Sequence, residues 1–465
     1  MNPLFEKSVY QNRRERLTQL VGHGIAVFLG NHEAPMNYPD NTYNFRQDSD
    51  FLYFFGLSAA DLAAAIDFDE HKAVIFGNDF TIDDIIWMGD QPTIASLAEK
   101  VGVAETRPLS ALETMIRQAQ QKGRTVHFTP QYRGDNQIWL SNLTGINVNQ
   151  IRDAASIELI KGIVELRSAK EACEIEEMEK ACEVGVKMHT AVMRRCVEGA
   201  SERELAGLAE GIALSYGNGI SFPVILSQHG ETLHNHLHDG ILKKGNMLLM
   251  DAGAEGLMNY CSDYTRTMPV GGRFTTVQQE IYEIVLKANL DAIEAAHPGM
   301  YNKELHRLSC EVIAQGLKDL GLMKGDVKEA VEVGAHALFM VHGLGHQIGL
   351  DVHDMEGLGQ IYVGYDDTVR PSSIFGWASL RMARELRPGF VVSIEPGIYF
   401  IPHLIDIWKK ENKFADFINY DVVEKYRDFG GIRIEDDLLI TETGHHVLGP
   451  HLPKGVEELA EIIGK

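Results

Sequence analysis

The chain has 465 residues, 45% hydrophobic and 23% charged, enough apolar material to build its cores without disulfide or metal staples. Its 43 Lys and Arg against 66 Asp and Glu leave a net charge of −23, which repels phosphate backbones and anionic bilayers, so neither nucleic acid nor a membrane is expected as a partner. Five cysteines without a CxxC pair argue against a disulfide framework or zinc ribbon, Glu6 and Lys7 interrupt any leader-like apolar run, and a cytoplasmic location is expected.

In chain order, Gly24-Ile25-Ala26-Val27-Phe28-Leu29 and His71-Lys72-Ala73-Val74-Ile75-Phe76 read as buried strands. Ser110 to Gln121 reads as an amphipathic helix, and Thr125-Val126-His127-Phe128 as another strand. Residues 1–165 are therefore expected to form an α/β domain. Gly22-His23-Gly24 precedes a strand instead of opening a helix, so it is a weak nucleotide signal. Residues 166–465 are expected to form a second domain. It opens with a capping box at Ser168-Ala169-Lys170-Glu171 and a long helix carrying Ile175, Met178, Cys182, Val186 and His189. A second box, Ser201-Glu202-Arg203-Glu204, leads a helix stopped by Gly217 and Gly219. Strands are expected at Phe222–Leu226, Met247–Ala252 and Cys261–Val270. Thr276-Val277-Gln278-Gln279 caps a third helix, Asn302–Leu320 forms a fourth, and strands return at Phe390–Ile394 and Ile432–Thr441. That order predicts helices on one face of an antiparallel sheet.

Four acids stand in strand-like apolar surroundings: Asp251, Asp263, Glu395 and Glu435. A bare charge there costs several kcal/mol. Arg266 and Arg433 can neutralise two of them, and the remainder asks for a cation. Histidines gather at His342, His346 and His353, in a run whose Gly343, Gly345 and Gly349 disfavour a helix, and again at His234, His236 and His238. Carboxylates with one imidazole suit Mn²⁺ and related hard ions. Four carboxylates exceed the need of one ion, whereas two ions about 3.5–4 Å apart, bridged by carboxylates and a hydroxide, use them all. The chemistry expected is hydrolysis of an amide.

Five blocks then carry a resemblance: Asp251-Ala252-Gly253, Ser262-Asp263-Tyr264-Thr265-Arg266-Thr267, His342-Gly343-Leu344-Gly345-His346, Glu395-Pro396-Gly397-Ile398-Tyr399 and Gly431-Ile432-Arg433-Ile434-Glu435-Asp436. In this order they resemble the ligand blocks of the creatinase-like, or pita-bread, metallopeptidases, over nearly the whole chain. The resemblance implies an α+β pita-bread catalytic domain and two divalent ions, Mn²⁺ first with Co²⁺ or Zn²⁺ as alternatives. It implies Asp251 as ligand to one ion, Asp263 and Glu435 as the bridging pair, and His346 and Glu395 as ligands to the other. His234, His342 and His353 match the family's substrate-binding and proton-handling histidines, Glu395 its proton shuttle and Arg433 an arginine beside the bridging acid.

Phe45-Arg46-Gln47-Asp48-Ser49-Asp50-Phe51 and the residues after it resemble the aminopeptidase P N-terminal domain, which implies a homodimer or homotetramer. The branch implied is aminopeptidase P or prolidase, acting on proline-containing peptides at the bond between a residue and the following proline. Leu380-Arg381-Met382-Ala383-Arg384 resembles prolidase, where the counterpart of Arg381 clamps the carboxylate of a dipeptide, a task suited to a guanidinium fork. The expected function is a dinuclear Xaa-Pro aminopeptidase, with an Xaa-Pro dipeptidase as the alternative and a catalytically dead binding module as the remote one. One departure is Ser227-Gln228-His229-Gly230-Glu231-Thr232, where the family has a Gly-Ser-Gly-x-Asn-like turn.

Overall fold

The computed structural model describes residues 3–465. It divides into two compact units: residues up to Arg167 together with Met355–Tyr362, and Ser168–Asp354 together with Val363–Lys465. The first unit holds β1 (Ile25–Leu29), β2 (Ala63–Asp67), β3 (Lys72–Phe76), β4 (Glu105–Arg107) and β5 (Val126–His127) in one mixed sheet of order β4-β3-β2-β1-β5. Every residue of β1 and β2 is buried, which is why β1 reads as an unbroken apolar run, whereas β2 is not expected from the sequence. Ile25, Val27, Ala63, Ala65, Val74 and Phe76 cluster with Leu112, Ile116 and Ala119 of the helix Ala111–Gln121. That helical spacing puts all three residues on one face. Gly22 is the left-handed C-cap of the helix Lys7–Val21, its N–H donating to the Thr18 carbonyl, so the Gly22-His23-Gly24 run is a helix stop.

In the second unit the caps sit beside the expected places. Ser168 ends the helix Ile157–Ser168, and Glu171 caps Ala172–Arg195 instead, its N–H donating to Glu174 Oε2 at 2.9 Å. Lys170 is held extended by its N–H bond to the Gly389 carbonyl, which pushes the helix start three residues along. Thr275, one residue early, forms the box with Gln278 for Thr276–Ala295. Ser201 makes no side-chain cap, because neighbouring Glu202 turns inward to accept from the Gln228 and Gly240 amides.

The strands are β6 (Gly219–Ile220), β7 (Ile225–Ser227), β8 (Met247–Asp251), β9 (Ala254–Glu255), β10 (Thr265–Pro269), β11 (Val391–Ile394), β12 (Gly397–Tyr399), β13 (Gly431–Arg433), β14 (Asp436–Ile440) and β15 (His445–Val447). They form antiparallel ladders β10-β8-β7, β11-β14-β15, β12-β13 and β6-β9 in place of a single continuous sheet. The strand expected over Ile432–Thr441 is cut at Ile434 and Glu435. There the Ile434 amide turns to the Pro396 carbonyl and the Glu435 amide to the Thr265 carbonyl. This crossing joins the ladders through a Thr265–Glu435 bridge. Leu344, Phe390, Val392, Ile394, Leu438 and Ile440 pack with Ala292 and Leu305 of the helices behind.

A candidate metal centre at the strand ends

Each acid is carried to the site by a strand end. Asp251 closes β8, opposite Thr265 of β10 and Ile225 of β7. Glu395 follows β11, and Glu435 lies at the crossing between β13 and β14. Asp263 precedes β10, and its amide donates to Asp437 Oδ2 at 2.9 Å. His346 comes from the glycine-rich run. Gly345 is required there: a Cβ on it would stand 1.9 Å from the Ser393 carbonyl oxygen, so the run lies directly against β11.

Asp263, His346 and Glu435 are all buried and offer ligand atoms within 4.8 Å of one another. His346 Nδ1 lies 3.1 Å from the Gln347 carbonyl and therefore carries the proton. Its Nε2 then points a lone pair at Asp263 Oδ2, 3.4 Å away, and Glu395 Oε1, 3.6 Å away. Three acceptors facing one another in a buried space need a cation between them. Asp251 Oδ1 and Asp263 Oδ1 are likewise buried without a hydrogen-bond partner. Burial and then the charge of Glu435 push Asp263 well above the usual carboxylate range, while burial and then Glu395 do the same to Glu435. Burial pushes Glu395 up to about 8, with Arg433 pulling the other way. The donor set fits divalent cations with a preference for oxygen ligands.

Arg433, 3% exposed, organises one wall. Its Nη2 donates to Asp251 Oδ2 at 2.6 Å, Nη1 to the Tyr399 hydroxyl at 2.8 Å and Nε to Thr265 Oγ1 at 3.1 Å. Thr265 in turn donates to Glu435 Oε2 at 2.6 Å. Arg266, expected to neutralise one of the four acids, pairs instead with Asp436 at 2.6 Å and gives Glu435 only a bond to its backbone carbonyl. Its side chain leaves the strand on the opposite face from Thr265 and Thr267.

Of the histidines, His342 is fixed at both nitrogens. Nδ1–H donates to the Gly343 carbonyl at 2.7 Å, and Nε2 accepts from the Tyr399 hydroxyl at 2.8 Å. Burial, then the Arg433 charge, lowers it to about 3. The His353 ring stands 4.0 Å from that of His346. His234 is exposed and lowered by burial and then by Arg433, with Asp251 and Arg381 also acting on it. His236 and His238 take no part, since their Nδ1 atoms face the Val224 and Leu226 carbonyls. Arg381 is half-buried, and its charge depresses His234, His342, His346 and Glu395 alike.

The site lies within a recognisable stretch: the sequence pattern of metallopeptidase family M24 matches residues 176–442. The chain belongs to metallopeptidase family M24. The aminopeptidase P N-terminal domain matches residues 10–127. Curated relatives of this M24 peptidase include an Xaa-Pro dipeptidase of Homo sapiens, 31% identical over 447 residues that cover 94% of this chain and 87% of that one. They also include a probable Xaa-Pro aminopeptidase of Sordaria macrospora, 32% identical, covering 95% and 91%. Among solved structures, Pseudomonas aeruginosa aminopeptidase PepP matches with a TM-score of 0.79 at 27% identity, and Escherichia coli aminopeptidase P with the inhibitor Pro-Leu with 0.80 at 28%. Each covers 99% of this chain and 98% of its own. The chain is thus a hydrolase with an aminopeptidase P-type N-terminal domain and a pita-bread catalytic domain.

Of the residues that hold the ligands, sequence reasoning singled out Arg433 but missed three others. Thr265 links Arg433 to Glu435. Ser393 Oγ accepts from the His346 amide at 3.0 Å and lies 3.3 Å from Glu395 Oε1. Asp437 anchors the Asp263 amide. A hydroxyl two residues from an acid on a strand shares its face, a signal available for both Thr265 and Ser393.

Proposed function

We propose that this M24 peptidase is an Xaa-Pro aminopeptidase working with two divalent ions, Mn²⁺ in first place. Asp251, Asp263, His346, Glu395 and Glu435 would hold them, Asp263 and Glu435 between the two. The observation that carries this reading is the lone pair of His346 Nε2 directed at the Asp263 and Glu395 oxygens. When bound, such ions lower the pKa of a water and polarise the scissile carbonyl. Glu395 accepts the proton that the attacking water loses and passes it on. His342, held by Tyr399 and Gly343, orients the substrate, while His353 and His234 stabilise the developing charge or donate to the departing nitrogen. Arg433 keeps Asp251 in place. Proline after the cleaved bond gives a tertiary amide with no N–H, so its nitrogen needs a proton only as it leaves, which histidines at the pocket wall supply. Chelated protein reloaded with Mn²⁺ should release alanine from Ala-Pro-Ala and leave Ala-Ala-Ala intact. Equal hydrolysis of both, or full activity without metal, contradicts the reading.

A second reading, the dipeptidase, draws on Arg381. Its guanidinium acts on Glu395, His342 and His346, so a dipeptide carboxylate would meet it bidentately. Curated relatives carry both names.

A further inference from the structure

We propose that His306, Cys310 and His336 form a second metal site, apart from the carboxylate centre and suited to a softer cation such as Zn²⁺. His306 and Cys310 lie one turn apart on the helix Asn302–Asp319, a spacing that puts both on one face. His336 comes from the single 3₁₀ turn Ala335–Leu338. All three are 0% exposed. Cys310 Sγ stands 3.6 and 3.8 Å from the two ring nitrogens of His306, and one ligand atom from each residue lies within 4.8 Å of the others. A zinc ion about 2.0–2.3 Å from each would draw them in by roughly 1 Å.

The pointer to a ligand is His336. Both of its ring nitrogens are buried and, among the described residues, neither makes a well-formed hydrogen bond, a condition native interiors seldom keep without an ion or water to answer it. One His336 nitrogen faces the Val331 carbonyl, which also accepts the Trp377 indole N–H at 3.0 Å, so the other nitrogen is the one left to meet an ion; the Trp377 ring closes over His306 with centroids 4.9 Å apart. The contrast with His23, His127 and Glu158 is instructive. There, His127 spends one nitrogen on Ser156 Oγ at 2.6 Å and the other on the His23 carbonyl at 3.0 Å, leaving no lone pair to offer.

Donor type separates the two centres. A thiolate and two imidazoles select Zn²⁺ over Mn²⁺, and three protein ligands leave one coordination position open. Burial keeps the Cys310 thiol protonated when no ion is present. On binding, the sulfur–hydrogen bond gives way to a sulfur–metal bond and one proton passes to solvent, while both imidazoles donate neutral lone pairs. The turn bearing His336 runs on into the His342–His346 segment, so occupancy would pin that segment to the helix Asn302–Asp319.

The test uses the full chain, stripped with chelator and titrated with Co²⁺. A thiolate ligand gives Co²⁺ a charge-transfer band in the near ultraviolet that a carboxylate and imidazole centre lacks. The expected result is a band whose final amplitude corresponds to one thiolate-bound ion per chain, present in wild type and in Asp263→Asn, and absent in Cys310→Ser. His336→Phe, which keeps the core filled, should weaken the binding that gives this band by at least tenfold. No band in wild type, a band undiminished in Cys310→Ser, or unchanged affinity in His336→Phe overturns the proposal.

Discussion

Replacing Arg433 with methionine removes the charge that meets Asp251 Oδ2 at 2.6 Å. The pair is shielded from solvent, Arg433 being 3% and Asp251 8% exposed, so screening does little to soften the loss. Removing one partner of a buried pair costs about 3–5 kcal/mol, mostly the penalty of the uncompensated charge left behind. The Tyr399 hydroxyl and Thr265 Oγ1 lose their donor as well. For a unit of this size each kcal/mol moves the midpoint by about 2–4 °C, so Arg433→Met should melt roughly 6–20 °C below wild type. Calorimetry in the presence of chelator is the right assay, because bound cations would replace the missing charge. Adding Asp251→Asn should return part of the stability, with a coupling of at least about 1 kcal/mol between the two substitutions. A single variant within about 2 °C of wild type, or strictly additive effects, would refute the claim that Arg433 compensates the acid cluster.

Acid stability offers another check. His189 is fully buried with Nε2 facing the Ala252 carbonyl at 3.0 Å, and burial lowers it from 6.5 to about 4. The unfolded chain therefore takes up this proton first as pH falls. The stability concerned is whole above pH 6.5 and lost between 6.5 and about 4, to a total of about 3 kcal/mol, and His189→Met should flatten that part of a urea-denaturation pH series. Alanine at His234, His342 or His353 should lower kcat by roughly 10²-fold while metal content by mass spectrometry stays near wild type; loss of an ion in His353→Ala would make it a ligand instead. Chelation should lower the melting temperature, and Mn²⁺ at 100 times its Kd should restore about 2.7 kcal/mol. An unchanged midpoint would argue against a resident ion.

Much of the site was legible because its chemistry is expensive. A carboxylate closing an apolar run such as Met247–Met250 has no inexpensive structural reason to be there, and the same logic marked Asp263, Glu395 and Glu435. Glycines between His342 and His346 signalled a loop because a helix wastes them, and Gly345 proves to be required by the contact with Ser393. What escaped was set by tertiary contacts. Nothing local says that Ile434 and Glu435 leave one ladder for another, or that Arg266 points to Asp436. Ser168 looks like a cap, but the hydrogen bond from Lys170 to Gly389 delays the helix to Glu171. The helix Pro402–Lys410 had a readable start, proline in its first turn, in a stretch for which no element was expected. His306 and His336 are far apart in the chain, and only the fold brings them to Cys310.

The central claim is that the enzyme is an aminopeptidase accepting peptides longer than two residues instead of a dipeptidase. The most direct measurement is kcat/KM for Ala-Pro against Ala-Pro-Ala with the Mn²⁺-loaded enzyme, in wild type and in Arg381→Ala. The account predicts comparable values for both peptides and little change on removing Arg381. A strong wild-type preference for Ala-Pro that collapses in Arg381→Ala would contradict it, because that pattern requires the guanidinium to clamp a free dipeptide carboxylate.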